Sequence, residues 1–461
     1  MSELVFNRQI DVPKDTVYRW HTTEGAFERL IPPWQEVRLL EAAPSIDEGT
    51  RTVIEIKHGL IRHRWVAEHF KVEEGNSFTD RQVSGPFKEW IHEHQFLGKN
   101  GRSTQLVDRL NFTIPGGLAG KMLMESCIEK SITNAFWFRH ERTKMDLERL
   151  LGDRVFRSGL TVLITGHRGL VGRELSALLR SLGYGVRGLS RNPQGKDEFA
   201  WNPLSGEIDE RAFDGVCAVV HLAGENVASG RWPASRREAI LESRRKGTAL
   251  IAATMARVCS RKTVLVSASG VNAYPSDGQP YDEAGPAGDH FLSEVCRAWE
   301  RATEPASDVG LRVVKLRIGV VLSPRGGALG KMLLPFKLGL GGRLGTGNQM
   351  FSWIAIDDLT EIIVRSIEEE SMAGVYNATA PRVVSQNAFA QVLATVLSRP
   401  AMMPVPASIL QIVLGKDLAN ETLLADLQVI PLRLKDQGYR WRFPQLEPAL
   451  RFMLGIPVVN Q

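Results

Sequence analysis

Three glycines in the middle of the chain have the spacing of a phosphate-binding loop. Gly166, Gly169 and Gly172 follow an apolar run at residues 160–165, and a helical pattern begins directly after them. Glycine lets a tight turn close and lets a pyrophosphate approach the backbone, while the free N–H groups of the next helix attract the phosphates. We therefore predict a dinucleotide site at this loop. Its contacts are expected from Gly166, Arg168, Gly169, Leu170, Val171 and Gly172.

The second predicted strand indicates which nucleotide the loop binds. It covers residues 186–189 and is followed by Ser190 and Arg191, with no Asp or Glu where NAD-binding proteins hold the ribose hydroxyls. Ser190 and Arg191 are therefore expected to contact the ribose, and Arg191 could pair with a 2′-phosphate. Arg168 brings a second cation, so the sequence favours NADP(H). The alternative is that both arginines are solvent-facing loop residues.

The elements around this loop alternate between strands and helices from residue 160 to residue 398. The apolar character of the strands is typical of a parallel sheet covered on both faces. The predicted strands are 160–165, 186–189, 218–222, 262–267, 312–318 and 374–377. Short helices are predicted at 407–415, 420–425, 431–437 and 446–454, which together form a small C-terminal unit.

Residues 1–151 have a different pattern, which predicts an antiparallel sheet wrapped around one long helix. Such an assembly can enclose an apolar ligand cavity between sheet and helix. The predicted strands are 5–10, 50–57, 62–70, 85–96 and 104–114, and the predicted helices are 15–21, 24–30 and 132–151. Boundaries near residues 152–159 and 399–406 divide the chain into domains at 1–152, 159–399 and 400–461.

Composition limits the class of protein. The chain has 461 residues, 43% of them hydrophobic, and a net charge of +5 without a dense basic block, so nucleic acid is not expected as a partner. Four scattered cysteines suit a reducing cytoplasm. No signal peptide and no membrane-spanning run is found. The sequence therefore predicts a cytoplasmic protein that acts on a small molecule.

The central segment resembles the extended and atypical short-chain dehydrogenase/reductases, and more narrowly the NAD(P)-dependent epimerase/dehydratase-like proteins. This resemblance implies a Rossmann fold, a doubly wound parallel sheet, with a small C-terminal domain that closes the substrate side. It also implies that the turn Leu222, Ala223 and Gly224 lines the adenine and ribose. The segments that carry the resemblance are Thr165 to Gly172, His221 to Asn226, Gly230 to Trp232, Ser243 to Thr248, Ser267 to Ser269, Leu316 to Leu322, Gly339 to Gly342, and Trp353 to Asp358.

The first 150 residues resemble the helix-grip superfamily (SRPBCC) of polyketide cyclases, START-like lipid carriers and coenzyme Q-binding proteins. The resemblance implies an α+β fold and a hydrophobic ligand. The segments that carry it are Phe27 to Trp34, Arg64–Trp65, Gly85 to Phe87, Trp90, His92 to His94, and Phe138 to His140. Trp34, Trp65, Trp90 and Trp137 are expected to line the core or the ligand cavity.

The catalytic residues of the short-chain reductases are only partly present. Ser269 occupies the place of their substrate-binding serine, one turn beyond the predicted strand, although a capping role is the alternative. Their Tyr-x-x-x-Lys pair is absent, because the matching helix has apolar residues around Phe291 and Val295 and no lysine. Tyr274 is the candidate replacement acid, and a packed loop tyrosine is the alternative.

Other residues are expected at the substrate pocket or are weighed as further acids or bases. By resemblance, Lys331, Gln349 and Trp353 fall in segments that close the pocket. Asp282, Glu283 and His290 could supply an acid or base, or be solvated loop residues.

A metal site is not predicted. Seven histidines lie in the front domain, and His92 and His94 share one face of a predicted strand, where they could chelate a metal ion. No third ligand can be identified from the sequence, so a half-buried polar strand face is the preferred interpretation. The seven are His21, His58, His63, His69, His92, His94 and His140.

Two functions remain open from the sequence. One is an NADP(H)-dependent oxidoreductase or epimerase whose front domain binds an apolar substrate. The other is a non-catalytic NADP(H)-binding sensor, which the missing Tyr-Lys pair motivates.

Overall fold

The computed structural model describes residues 1–43, 45–59, 61–151 and 156–457, and for residues 58, 117–123 and 151 it describes the backbone alone. Its internal contacts divide the chain into two units. The first unit comprises Met1–Ser158, Ala177–Gly183 and Arg451–Gln461, and the second comprises Gly159–Ser176 and Tyr184–Leu450. The predicted end of the front domain at residue 152 lies outside the described residues.

The first unit contains a seven-stranded sheet in the order β1-β7-β6-β5-β4-β3-β2. All neighbouring strands are antiparallel. The strands are β1 (Ser2–Ile10), β2 (Glu36–Glu41), β3 (Arg51–His58), β4 (Ile61–Glu73), β5 (Ser77–Ser84), β6 (Glu89–Lys99) and β7 (Ser103–Thr113). The helices are α1 (Lys14–Thr22), α2 (Ala26–Leu30) and α3 (Gly117–Asp146), and a π-helical turn, Leu147–Leu151, follows α3.

The long helix α3 covers one face of this sheet. Every second residue of β7 is buried, because alternate side chains of a strand point to the same side. Ile132 and Phe136 lie four residues apart on one side of α3 and pack in the same cluster as Leu110 and Phe112. The expected helix-grip arrangement is therefore confirmed. The helix begins fifteen residues earlier than predicted, in a stretch that contains two glycines, Gly117 and Gly120, among good helix formers.

The second unit is built on an eight-stranded sheet in the order β11-β10-β9-β8-β12-β13-β15-β19. All pairs are parallel except β10 with β11. The strands after residue 159 are β8 (Thr161–Thr165), β9 (Gly185–Ser190), β10 (Glu198–Asn202), β11 (Glu207–Ile208), β12 (Val216–His221), β13 (Val264–Gly270), β14 (Pro280–Tyr281), β15 (Arg312–Ile318), β16 (Val320–Ser323), β17 (Met350–Phe351), β18 (Trp353–Ala355), β19 (Gly374–Ala378), β20 (Val384–Ser385) and β21 (Gln428–Val429).

Helices connect these strands and make up most of the C-terminal part. They are α4 (Leu170–Ser181), α5 (Ala234–Val258), α6 (Phe291–Arg301), α7 (Glu304–Asp308), α8 (Gly327–Lys337), α9 (Ile356–Glu368), α10 (Gln386–Leu397), α11 (Ala407–Leu414), α12 (Lys416–Leu418), α13 (Leu432–Asp436) and α14 (Leu446–Leu454). Glu210–Phe213 and Val271–Ala273 are 3₁₀ turns, and Ala419–Leu423 is a π-helical turn. Among the described helices, we find none with both the length and the apolar character needed to pass through a bilayer.

The strand order fixes where a ligand binds in such a sheet. Successive strands run outward from β8 to β11 on one side and from β12 onward on the other, so the order reverses between β8 and β12. This reversal is the topological switch point, where open α/β sheets bind ligands beside the carboxyl ends of the strands. The doubly wound fold predicted from the sequence is therefore confirmed.

Candidate functional site at the carboxyl edge of the parallel sheet

The glycine loop joins β8 to α4 at the switch point. Gly166 has a φ of +70°, which glycine adopts without strain. A Cβ atom on Gly172 would lie 2.2 Å from the Gly166 carbonyl oxygen, so a larger residue would push α4 off the turn. The loop thus keeps the backbone open to a phosphate and places the first turn of α4, from Leu170, directly behind it.

Thr165 connects this loop to the turn after β12 by hydrogen bonds. Its hydroxyl oxygen accepts hydrogen bonds from the backbone N–H groups of Leu222 and Ala223, both at 3.1 Å, and lies 2.7 Å from Nδ1 of His221. Burial, with a smaller contribution from Arg244, lowers the pKa of His221 to about 3, so its ring is neutral and accepts the Thr165 proton. The structure therefore brings the predicted glycine-loop residues and residues 222–224 together.

The two arginines expected at a 2′-phosphate have different surroundings. Arg168 donates to both carboxylate oxygens of Glu198, with Nε at 3.0 Å from Oε1. Arg191 follows Ser190 at the end of β9 and is exposed, and no described residue forms an ion pair or a side-chain hydrogen bond with it. Arg191, rather than Arg168, thus offers an uncompensated positive charge beside the loop.

Glu198 is a site residue that the sequence analysis missed, since it lies on β10, which was not predicted. Partial burial works to raise the pKa of Glu198, but hydrogen bonds from Arg168, from the Gln194 N–H and from His167 outweigh it and hold the pKa at about 2. The carboxylate is therefore ionised at neutral pH. The end of β9 itself carries no Asp or Glu, as the sequence analysis states, but strand pairing brings Glu198 beside Arg168.

Ser269 lies on β13 itself. The sequence placed it one turn beyond the strand, but β13 extends to Gly270 and includes it. Its Oγ donates to Oε1 of Glu300 at 2.8 Å, and Arg317 donates to both oxygens of that carboxylate, at 2.8 and 2.9 Å. Because β13 is the neighbour of β12, Ser269 sits one strand away from the turn of residues 222–224.

Tyr274 is fully buried. Its hydroxyl donates to Oδ1 of Asn377 at 2.7 Å, and the Arg317 guanidinium lies 4.8 Å from the ring centroid. Burial raises the pKa of this phenol above its ordinary value. In this arrangement the hydroxyl is held as a neutral donor.

Helix α6 has buried apolar side chains where a Tyr-x-x-x-Lys pair would lie. Burial raises the pKa of the Cys296 thiol to about 11, so the thiol is protonated at neutral pH. None of the four side chains at these positions can therefore exchange a proton at pH 7. The residues concerned are Phe291, Leu292, Val295 and Cys296.

The other candidate acids and bases hold backbone groups. Glu283 accepts the Asn377 N–H at 2.9 Å, and Asp282 accepts the Ala284 N–H at 2.8 Å. His290 precedes α6 as its N-cap residue, with Nδ1 accepting the Ser293 N–H at 3.2 Å. These contacts position loops and one helix end.

Arg244 is a second residue that the sequence analysis did not assign to the site. Its guanidinium donates to the carbonyl oxygens of Glu225 and Ile240 and lies 4.8 Å from the Trp299 ring centroid. A Cβ atom on Gly224 would be 3.0 Å from its Cζ atom. Burial lowers the pKa of Arg244 from its ordinary value.

The three residues expected at the substrate pocket lie in different environments. Lys331 is exposed on α8, and its Nζ donates to the Ala228 carbonyl at 3.2 Å. Gln349 is buried and donates to the Leu344 carbonyl at 3.0 Å. Trp353 is fully buried, and its indole N–H donates to the Arg382 carbonyl at 3.0 Å. Only Lys331 has a side chain open to solvent.

In the first unit, the four tryptophans singled out in the sequence are half-buried. Trp65 and Trp90 meet edge to face with centroids 4.9 Å apart, and Phe87 and Phe112 join the same aromatic group. These rings provide apolar contact area on the sheet.

Sequence profiles of three families match successive parts of the chain. The polyketide cyclase / dehydrase and lipid transport family matches residues 10–136. The NAD dependent epimerase/dehydratase family matches residues 162–378, and a domain of unknown function, DUF1731, matches residues 405–453. The resemblances found in the sequence are thereby confirmed.

Two relatives decide the family. Epimerase family protein SDR39U1 of Bos taurus is 39% identical over 301 residues, which are 64% of this chain and all of the relative. The chain belongs to the epimerase family. Epimerase family protein Mb2239 of Mycobacterium bovis is 36% identical over 298 residues, which are 64% of this chain and 98% of the relative.

Two solved structures are similar to this epimerase family protein. A crystal structure of the nucleoside-diphosphate sugar epimerase from Corynebacterium glutamicum is 33% identical, and the similarity covers 98% of this chain and 90% of that one, with a TM-score of 0.81. A crystal structure of human SDR39U1 with NADPH is 37% identical, covers 64% of this chain and 99% of its own, and gives a TM-score of 0.59. The first similarity covers the front domain as well as the rest of the chain. The second covers 64% of the chain, the same share that the SDR39U1 relative matches.

Proposed function

We propose that this protein is an NADP(H)-dependent oxidoreductase or epimerase that binds a small-molecule substrate at the carboxyl edge of the parallel sheet, beside Ser269. The observation that carries the proposal is the exposed Arg191 at the end of β9, which has no anionic partner among the described residues. A 2′-phosphate would supply that partner through charge-assisted hydrogen bonds. The human relative crystallised with NADPH supports the same cofactor.

The residues around the switch point fit a dinucleotide. Gly166 and Gly172 keep the loop free of side chains where the diphosphate approaches, and the first turn of α4 offers unpaired N–H groups. Leu222 to Gly224 would line the ribose and adenine side. The bound nucleotide supplies hydride chemistry, which no protein side chain provides.

Ser269 is proposed to orient the substrate. Its hydroxyl proton points to Glu300, so its oxygen can accept a hydrogen bond from a substrate hydroxyl. Arg317 fixes Glu300 and thereby the direction of the serine proton. Lys331, Gln349 and Trp353 are proposed to close the pocket, with the exposed Lys331 available to an anionic group.

A second function is favoured by the residues of α6. Because apolar side chains replace the proton-transferring pair and the Tyr274 hydroxyl donates to Asn377, the protein could bind NADP(H) as a sensor without turnover. In both functions, we propose that the front domain holds an apolar ligand and that the protein is cytoplasmic.

Calorimetric titration of NADPH and NADH tests the proposal. We expect NADPH to bind more tightly than NADH. Arg191→Ala should lower the affinity for NADPH by about 10- to 100-fold, which corresponds to the loss of one hydrogen bond between charged groups. The affinity for NADH should be unchanged. Lys196→Ala removes another exposed cation of the same loop and should change neither affinity.

If Arg191→Ala lowers the affinity for NADPH and NADH equally, or lowers neither, the 2′-phosphate assignment is contradicted. Oxidation of NADPH by the wild-type protein with a panel of carbonyl compounds separates the two functions. Turnover is expected for the enzyme, whereas tight NADPH binding without turnover would support the sensor.

A further inference from the structure

A cluster of His and Asp side chains, all buried except the partly exposed Asp80, lies on the covered face of the first unit's sheet. Asp80 pairs in register with His92 between β5 and β6, and His94 pairs with Asp108 between β6 and β7. His92 and His94 are two residues apart on β6, so both rings lie on one side of the sheet. His140 of α3 completes the cluster, with Nε2 at 2.5 Å from Oδ2 of Asp108.

We propose that Asp80, His92 and His94 bind a divalent first-row transition metal ion. Oδ2 of Asp80 lies 3.3 Å from Nδ1 of His92 and 3.8 Å from Nε2 of His94, and the three ligand atoms lie within 4.8 Å of one another. Ligand atoms around a tetrahedral zinc ion are about 3.3 Å apart. The Asp80–His92 pair already has this spacing, and Nε2 of His94 must move closer for an ion to bind. The sequence did not predict this site, since strand pairing alone brings in Asp80.

Asp108 supplies the carboxylate that orients the two imidazoles. Its Oδ1 lies 2.8 Å from Nε2 of His92 and 2.7 Å from Nδ1 of His94, and these nitrogens are the ones that do not face Asp80. A metal-binding histidine usually donates its other N–H to a carboxylate, which fixes the tautomer and the ring orientation. Asp108 does so for His92, and its Oδ1 lies within reach of Nδ1 of His94.

The contacts of His94 are incomplete without an ion. The residue is 5% exposed, and Nδ1 makes no aligned hydrogen bond although Asp108 is close. Nε2 lies too far from Asp80 for a hydrogen bond. Buried polar atoms without partners cost free energy. An ion bonded to Nε2 would supply one partner and allow the ring to turn its Nδ1–H toward Asp108.

The surroundings suit a site with an open coordination position. Phe78 stacks on His94 with centroids 4.2 Å apart, and the edge of Phe136 meets His92 at 5.0 Å. The Asp80 side chain keeps 17% of its surface exposed, which gives an ion a way in. Two His and one carboxylate leave at least one position for water or for a ligand atom, as in zinc and non-haem iron sites.

Zinc binding to the full-length protein tests the site. After dialysis against a chelator, Zn²⁺ is titrated in competition with a fluorescent chelator. We expect one tightly bound Zn²⁺ per chain in the wild type and none in Asp80→Asn or His94→Gln. Asp108→Asn should lower the affinity for Zn²⁺ by about 10- to 100-fold, the usual effect of losing a carboxylate that orients metal-binding histidines. His21→Gln is the matched control, because its ring lies 6.1 Å from His94 but outside the ligand set, and it should bind normally.

X-ray absorption of the zinc-loaded wild type keeps the proposal testable if a variant fails to fold. We expect nitrogen and oxygen ligands with imidazole scattering and no sulfur, which separates this site from adventitious binding at the four cysteines. Less than stoichiometric zinc in the wild type, a sulfur ligand, or unchanged affinity in folded Asp80→Asn would overturn the proposal. NADPH affinity, measured in parallel, is independent of the outcome.

Discussion

The Ser269 hydroxyl donates to the Glu300 carboxylate at 2.8 Å, and the same carboxylate receives two hydrogen bonds from Arg317. The Ser269 hydroxyl group is therefore held in one orientation by the ion pair between Glu300 and Arg317. An oxygen whose proton is committed elsewhere can only accept, which suits the hydroxyl of an alcohol substrate.

We predict that Ser269→Ala lowers the turnover number by about 100-fold, because an alcohol substrate without the oxygen that accepts its hydroxyl hydrogen bond is no longer held in the reacting geometry. NADPH affinity should be unchanged, because the serine lies one strand away from the nucleotide loop. Ser267→Ala, two residues earlier on the same face of β13, is the control and should keep full turnover. Steady-state rates of NADP⁺ reduction with the best alcohol substrate and NADPH titration measure the two effects. Equal rates for wild type and Ser269→Ala would remove the serine from the mechanism.

We predict that Gly172→Ala abolishes nucleotide binding at concentrations that saturate the wild type. The new Cβ would lie 2.2 Å from the Gly166 carbonyl oxygen and 2.6 Å from the His167 Cα atom, both backbone atoms that cannot move without opening the loop. Gly169→Ala is the comparison, since its Cβ meets the same oxygen at 3.1 Å and needs a much smaller shift. NADPH fluorescence titration reports binding, and far-ultraviolet circular dichroism reports folding. Normal affinity in folded Gly172→Ala would contradict the loop's proposed role.

The parallel sheet was largely predictable because its strands are buried on both faces. The continuous apolar run at residues 160–165 predicted β8 to within one residue. The strand β10 was missed, since Glu198–Asn202 mixes charged and apolar residues near the sheet edge. Because β10 was missed, Glu198 was missed as well. The negative charge beside Arg168 could therefore not be deduced from the end of β9 alone.

Long-range pairing accounts for the other residues that the sequence did not reveal. Glu300 is 31 residues from Ser269, and Asp80 is 12 residues from His92, yet each pair is in contact. A periodic pattern shows which face a side chain occupies but not which strand lies opposite. The histidines of β6 could therefore be placed on one face from the sequence, whereas their carboxylate partners required the sheet register.

Glu198 should make stability depend on acid pH. Its pKa in the folded protein is about 2, below the usual value of about 4.5, because hydrogen bonds from Arg168, Gln194 and His167 outweigh the effect of partial burial. A depressed carboxyl pKa stabilises the fold above the unfolded pKa, and this contribution is lost as the pH falls from about 4.5 toward about 2. The full effect is at most about 3 kcal/mol in the free energy of unfolding.

We predict that Glu198→Gln is less stable than the wild type at pH 7 and that the difference shrinks as the pH is lowered through this window. Urea unfolding at pH 7, 4 and 3 measures it. The variant should also bind NADPH more tightly at low salt, because Arg168 is released to join Arg191 near the 2′-phosphate. Glu207→Gln, an exposed carboxylate on β11, is the control and should show neither effect. A stability difference that is constant from pH 7 to pH 3 would show that Glu198 acts through packing and not through its charge.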